Sequence, residues 1–368
     1  MTRDRAQENL AIGRNATVHF QPGTRFLHIG PGDPDANSLV FPGFIDLQVN
    51  GVDEIDFGIA HNEHSIAEAL DRMTRHGTTG CLPTIVTAPL VQYDAMLERV
   101  RRARDLPDAD RRCAILGVHL EGPFLGGAPG AHPKHLLRDV ELTWLTELVD
   151  RHDDLIKMVT ISPERDPGFE AIKFLTARGV LVALGHSDCS YETALRATDA
   201  GARAVTHLYN GMSGLHHRSP GLATAALLDD RLTPTMIGDL HHVSAPALRV
   251  AMAVKERIAL ITDAVAPGAG ESGGMKIEQR GGAVFLADGT MAGAVIHMDD
   301  AVRNIWELLM VDVNRLSAMA AGNAARLLRL HDRGFLRTAA RADLTVVNAD
   351  TFHVEAVWID GRLVHSDR

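Results

Sequence analysis

A carboxylate and two imidazoles, Glu121, His186 and His207, each stand at the end of a short apolar run, and an aspartate, Asp263, ends another. One Glu and two His suit Zn²⁺ or another borderline divalent ion and leave a coordination position open for water. Such an ion acidifies water and polarises a carbonyl. Asp263, in the segment ITDAVAPG, is then placed to take the proton and pass it to a leaving amine. Glu121 and His186 are 65 positions apart and His186 and His207 are 21 apart. No interval of that size is diagnostic, so ordinary hydrogen-bonded histidines stay the competing reading. The chain holds 19 histidines, and several sit in clusters, among them His216/His217 and His241/His242.

Positioning these residues requires elements that bring distant segments together. Eight Val-, Ile- and Leu-rich runs recur: 44–49, 79–85, 114–120, 156–162, 180–184, 204–208, 235–238 and 258–262. Helical patterns are interleaved at 65–75, 90–104, 139–150, 169–177, 191–200, 223–228, 245–255 and 299–309. Alternation of this kind predicts a parallel sheet, and eight units predict closure into a (β/α)₈ TIM barrel, with an open doubly wound sheet as the rival. Polar residues favour the barrel, because barrel chemistry is assembled from the C-terminal ends of several strands. In order, the runs end in Gln48 and Asn50, Thr84, Glu121, Glu164, His186, His207 with Asn210, Asp239 with His242, and Asp263.

Alternating segments at both termini predict a small β domain built from residues 1–40 and 336–368 around a barrel spanning 41–335. A Gly-rich stretch, 268–293, predicts a β-hairpin inserted before the last barrel helix. With 37 basic and 47 acidic residues the chain carries a net charge of −10, which argues against nucleic-acid and anionic-membrane partners. The polar N-terminus does not read as a secretory signal, and three widely spaced cysteines do not read as a disulfide framework. Cytoplasmic localisation is the expectation.

The strings PGFIDLQVNG, LGVHLEGPF, GAH, ALGHS, THLYNGM, RSPG, DLHHV, TDAVAPG, MAGAVIHM and VRNI run in that order. Together they resemble the successive motifs of the N-acetylglucosamine-6-phosphate deacetylase family, in the amidohydrolase superfamily. The resemblance implies a barrel with a small β-sandwich, metal ligands at Glu121, His186 and His207, and an acid/base at Asp263. It also implies that His132 polarises the acetamide carbonyl, that Gln48, Asn210, Gly211, Arg218 and His242 contact substrate, and that Arg218 reaches a neighbouring active site in a homodimer. The implied reaction is hydrolysis of N-acetylglucosamine 6-phosphate to glucosamine 6-phosphate and acetate.

Two departures bear on these expectations. Many amidohydrolases have His-x-His at the end of the first strand, where this chain has Gln48-Val49-Asn50. Amide oxygens are weaker ligands than imidazoles, so one tight ion is expected, Zn²⁺ first and Fe²⁺, Mn²⁺ or Co²⁺ after it, with room for a weak second ion. The segment FLGGAPGAH, 124–132, lacks the lysines usual there. It motivates an alternative substrate, an unphosphorylated N-acyl sugar or another small N-acyl amine. A non-catalytic scaffold is the reading from another class, and retention of Glu121, His186, His207 and Asp263 argues against it. Glu164, His119 and Lys157 read as structural, and His297 has no assigned role.

Overall fold

Eight parallel strands follow one another in chain order: β1 Phe44–Val49, β2 Thr78–Val86, β3 Val118–Glu121, β4 Ile156–Ile161, β5 Leu181–Leu184, β6 Ala204–Val205, β7 Thr233–Ile237 and β8 Ala259–Ile261. β8 returns to β1 through the Asp263 N–H to the Gln48 carbonyl (2.9 Å) and the Asn50 N–H to the Ala264 carbonyl (2.7 Å). The expected α/β barrel is the observed fold. The computed structural model describes residues 8–12, 16–20, 26–31 and 37–367.

Alternation explains the barrel's interior. Ile45 and Leu47, Leu82, Met158, Leu181 and Ala183, Ala204, Ile237, and Ala259 and Ile261 form one buried cluster, with two-residue spacing wherever a strand contributes twice. Ala321, Ala324 and Ala325, from a helical segment near the C-terminus, belong to the same cluster. The opposite strand faces pack against the helices in a second, larger cluster. The helices start where the sequence offers caps. Asn62 accepts from the His64 and Ser65 N–H groups before helix Glu63–Arg75, and Ser190 accepts from the Thr193 N–H before helix Tyr191–Ala200. Each such cap is worth about 1 kcal/mol.

Three local expectations need correction. The third run is two strands rather than one, Ala114–Ile115 and Val118–Glu121, broken at Gly117. Gly117 has φ +151°, and a Cβ there would lie 2.1 Å from Lys157 Cγ, so only glycine lets the chain pass. The run 90–104 opens with a 3₁₀ turn, Leu90–Gln92, before helix Tyr93–Arg104. The inserted hairpin is a four-stranded antiparallel sheet, Glu271–Ser272, Met275–Arg280, Ala283–Leu286 and Met291–Ala294.

Both termini supply antiparallel strands. Ser38–Pro42 pairs with Leu344–Asn348, which continues through Val354–Ile359 to Arg362–Ser366, and Glu8–Ile12, Ala16–Phe20 and Phe26–Pro31 form a separate three-stranded sheet. No helix among the described residues is long and apolar enough to cross a membrane.

A fully buried aspartate latches β1 to β8. Asp46 accepts from the Thr262 hydroxyl (2.6 Å), the Thr262 N–H (3.3 Å) and the Gln48 N–H (3.1 Å). Burial pushes its carboxyl up to about 7, against these hydrogen bonds. The folded chain therefore holds a proton that the unfolded chain, with a carboxyl near 3.9, releases first, and the contribution of Asp46 to stability falls as pH rises from about 4 to about 7. The full span corresponds to about 4 kcal/mol. Asp46→Asn is expected to remove this downward contribution from the pH slope of stability measured by urea unfolding at pH 5 and pH 8, while Asp56, which burial raises to about 6, and His132, which burial lowers to about 3, act alike in both proteins. An unchanged slope would show that Asp46 ionises freely in the folded protein.

Candidate active site

The parallel register puts the chemistry in one layer. His186, His207, Asp239 and Asp263 each stand two residues beyond the last residue of their strands, and Glu121 is the last residue of β3. His186, His207 and Asp263 have φ of +49°, +34° and +49°, a left-handed conformation that non-glycine residues adopt at a cost. Backbone strain of this kind is tolerated where the surrounding structure imposes it, and it is common at active sites.

Glu121, His186 and His207 each offer one ligand atom, all within 4.8 Å of one another, and all three residues are buried. The two Nε2 atoms lie 3.1 Å from Glu121 Oε1 and 3.0 Å from each other. Each ring is oriented from behind: His186 Nδ1–H donates to the Ala128 carbonyl and His207 Nδ1–H to the Asn210 carbonyl, both at 3.1 Å. That tautomer leaves both Nε2 lone pairs pointing at the carboxylate. Three electron-rich atoms so close together repel unless a cation lies among them. Tetrahedral coordination at about 2.0–2.1 Å would set such donors about 3.3 Å apart, close to the spacing observed. The donor set fits a divalent metal.

Electrostatics points the same way. Burial alone would raise Glu121, yet the adjoining His186 and His207 hold its carboxyl well below the usual range. Burial would lower His207, and Glu121 raises it instead. The cluster favours positive charge at its centre.

Asp263 accepts from Gln48 Nε2 (3.1 Å) and Asn50 Nδ2 (2.8 Å), both at Oδ1. Burial, and then the charge of Glu121, raises its carboxyl. Gln48 Nε2 also donates to Glu121 Oε1 (2.8 Å), so one amide bridges both carboxylates. The amide oxygens of Gln48 and Asn50 are buried without partners, which leaves acceptor capacity at the site. Below, His119 Nε2 lies 2.7 Å from Thr160 Oγ1, which meets Thr206 Oγ1 at 2.7 Å. This polar layer supports the site from within the barrel.

A cavity of about 270 Å³ opens above the cluster, lined by Asn50, Glu121, His132, His186, His207, Asn210, Gly211, His242 and Asp263 among others. Gln48 does not line it. Its amide instead joins Glu121 to Asp263. Arg218 does not line it either: its side chain is exposed, and its guanidinium meets His217 at 3.0 Å. Among the described residues, no Lys or Arg lines the cavity.

His132 Nδ1 lies 2.9 Å from Thr87 Oγ1, and burial followed by the neighbouring His186 lowers the ring to about 3, so it is neutral near pH 7. With the hydroxyl donating to Nδ1, Nε2–H is the ring's one donor. His242 Nδ1 lies 2.6 Å from Asp239 Oδ2, and despite its burial Asp239 is lowered by that hydrogen bond. The carboxylate thereby fixes the His242 ring.

The lysine-free loop is held by its glycines. The Gly126 N–H donates to Ser162 Oγ (2.7 Å) and the Gly127 N–H to Glu164 Oε1 (3.1 Å), while Glu164 Oε2 accepts from the Ser187 hydroxyl (2.6 Å). A Cβ on Gly126 would lie 1.9 Å from Glu164 Oε1. Glu164 is thus a structural carboxylate that ties this loop to the turn bearing His186. Lys157, the second residue of β4, bonds the Asp153 carbonyl (3.1 Å) at the N-terminal end of the strand, away from the cluster. His297 stacks on His76 at 3.7 Å and precedes helix Met298–Leu309.

Several site residues had no distinguishing signal in the sequence. Thr87 is one threonine after a strand, and Met275, Ile277, Leu286 and Met291 lie in the inserted sheet, yet all four of the latter line the cavity. Their alternation indicates strands but not which face meets the barrel mouth.

The profile of the Amidohydrolase family matches residues 39–364. An N-acetylgalactosamine-6-phosphate deacetylase of Escherichia coli O157:H7 is 36% identical over 88% of this chain and 87% of its own length. An N-acetylglucosamine-6-phosphate deacetylase of Vibrio furnissii is 34% identical over 97% of this chain and 89% of its own. An aspartate-to-alanine variant of the Mycobacterium smegmatis N-acetyl-D-glucosamine-6-phosphate deacetylase, solved in complex with N-acetyl-D-glucosamine-6-phosphate, superposes with a TM-score of 0.87 at 30% identity, over 95% of each chain. The chain belongs to the amidohydrolase family and, within it, to the N-acetylglucosamine-6-phosphate deacetylase family.

Proposed function

We propose that this enzyme hydrolyses the acetamide of N-acetylglucosamine 6-phosphate, releasing acetate and glucosamine 6-phosphate. The observation that carries the reading is the convergence of three buried lone pairs, from Glu121, His186 and His207, beside a buried aspartate in one cavity. The names of the relatives support the substrate class. When bound by those three residues, a single divalent ion, Zn²⁺ in this reading, supplies the charge that acidifies water and polarises a carbonyl. Asp263 accepts the proton of the attacking water and delivers it to the leaving nitrogen. His132, neutral, donates from Nε2 to the carbonyl oxygen as negative charge develops there. His242, held by Asp239, and the Asn210–Gly211 turn contact the sugar. Three free and buried cysteines accord with a reducing cytoplasm.

Phosphate recognition is the incomplete part. No Lys or Arg among the described residues lines the cavity, whereas phosphates recruit guanidinium groups. The exposed Arg218 is suited to supply one to a neighbouring active site in a homodimer. Acetate release should therefore be compared for N-acetylglucosamine 6-phosphate, N-acetylgalactosamine 6-phosphate and N-acetylglucosamine. The first is expected to have the highest kcat/KM, and Arg218→Ala is expected to lower it about 10- to 100-fold without changing turnover of the unphosphorylated sugar. Preference for the galactosamine ester would favour the reading that the Escherichia coli relative suggests. Equal turnover with and without the phosphate would favour the unphosphorylated substrate.

A further inference from the structure

The pole of the barrel opposite the catalytic mouth holds a second cavity, about 300 Å³, at the N-terminal ends of β5 to β8. Among the described residues five arginines line it, Arg203, Arg231, Arg257, Arg326 and Arg329, and no Asp or Glu does. In a chain of net charge −10 this is a local inversion of sign. Arg231 is neutralised by Asp199 (2.7 Å) and Asp229 (2.6 Å). The other four form no carboxylate pair among the described residues. Arg203 donates to the Thr198 and Ala202 carbonyls, Arg257 to the Asp230 carbonyl, and Arg326 to Asn323 Oδ1 while lying over the Phe335 ring.

Capping of helix C-termini explains individual arginines here, since Lys and Arg commonly bond the last carbonyls. It does not require them to line one cavity without counter-ions. A second observation is independent of charge: Thr176 Oγ1, in the same wall, is buried with no hydrogen-bond partner. It lies beside Gly201, where a Cβ would come within 2.2 Å of it, and the wall is open at Gly179, where a Cβ would meet nothing within 4 Å. Guanidinium groups without carboxylate partners, in a cavity of this size whose wall also buries an unsatisfied hydroxyl, match a small phosphate ester or polyphosphate.

We propose that this basic cavity binds a small phosphate-bearing anion at a site separate from the catalytic one. Calorimetric titration of the full-length enzyme with inorganic pyrophosphate and, separately, with glucosamine 6-phosphate tests it. Saturable binding of either is expected to include a component that Arg257→Gln/Arg329→Gln weakens at least tenfold and the near-isosteric Thr176→Val severalfold, and that persists in Arg218→Ala, whereas any binding of the sugar phosphate at the catalytic site is weakened by Arg218→Ala alone. The response to the two probes tells a free polyphosphate from a sugar phosphate. Thermal melting checks that the variants are folded, and Thr176→Val keeps the test usable should the double variant not be. Absence of saturable binding by both probes, or binding that only Arg218→Ala removes, would overturn the proposal.

Discussion

Asp263→Asn is expected to lower kcat for acetamide hydrolysis by about 10²–10⁴-fold, the range for a positioned acid/base, with metal content and melting temperature close to the parent. Asparagine is nearly isosteric and keeps an oxygen where Oδ1 accepts from Gln48 and Asn50. It cannot take a proton from water. In the parent, burial and the charge of Glu121 raise the carboxyl and so increase its basicity, provided that it remains ionised at the working pH. A fall in kcat with KM little changed would place the loss in the chemical step. Near-normal turnover by Asp263→Asn would remove Asp263 from the mechanism.

Removal of the metal is expected to abolish acetate release, a loss of about 10³-fold or more if the ion contributes several kcal/mol to the barrier. Dialysis against a chelator followed by titration with Zn²⁺ should restore activity at one ion per chain, because the first strand offers amides rather than imidazoles for a second ion. Glu121→Gln tests the same centre without a chelator. It removes the one negative charge among the ligands and leaves two lone pairs 3.0 Å apart, so metal content is expected to fall with activity. The ion should also raise the melting temperature, since it binds only the folded arrangement. A metal-free protein with full activity would leave Glu121, His186 and His207 as hydrogen-bonded core residues.

Much of the architecture was legible in the sequence, because the apolar runs and helical patterns depend on local side-chain periodicity. The eight runs coincide with the eight strands to within a few residues, and the largest differences are where one residue's environment decides. Gly117 breaks the third run because Lys157 occupies the space of a side chain, and no local pattern reveals a neighbour 40 positions away. The inserted sheet was legible as strands and turns. Its four-strand pairing and its place over the cavity were not, since both depend on contacts outside the segment.

At the site, the sequence by itself determined the chemical types at the strand ends, Glu121, His186, His207 and Asp263, and their family resemblance. These are properties of residue identity and order. Only the tertiary structure decided that barrel closure brings three lone pairs to about 3 Å, that the Ala128 and Asn210 carbonyls select the imidazole tautomers, and that the Gln48 amide joins Glu121 to Asp263. The same holds for the arginines at the far pole. Arg203, Arg231 and Arg257 each lie between a helix and the next strand, and they share a cavity with Arg326 and Arg329 because those strands are neighbours in the barrel and a helical segment near the C-terminus comes up against their ends. Distances between residues far apart in the chain are set by closure and register, which no local pattern encodes.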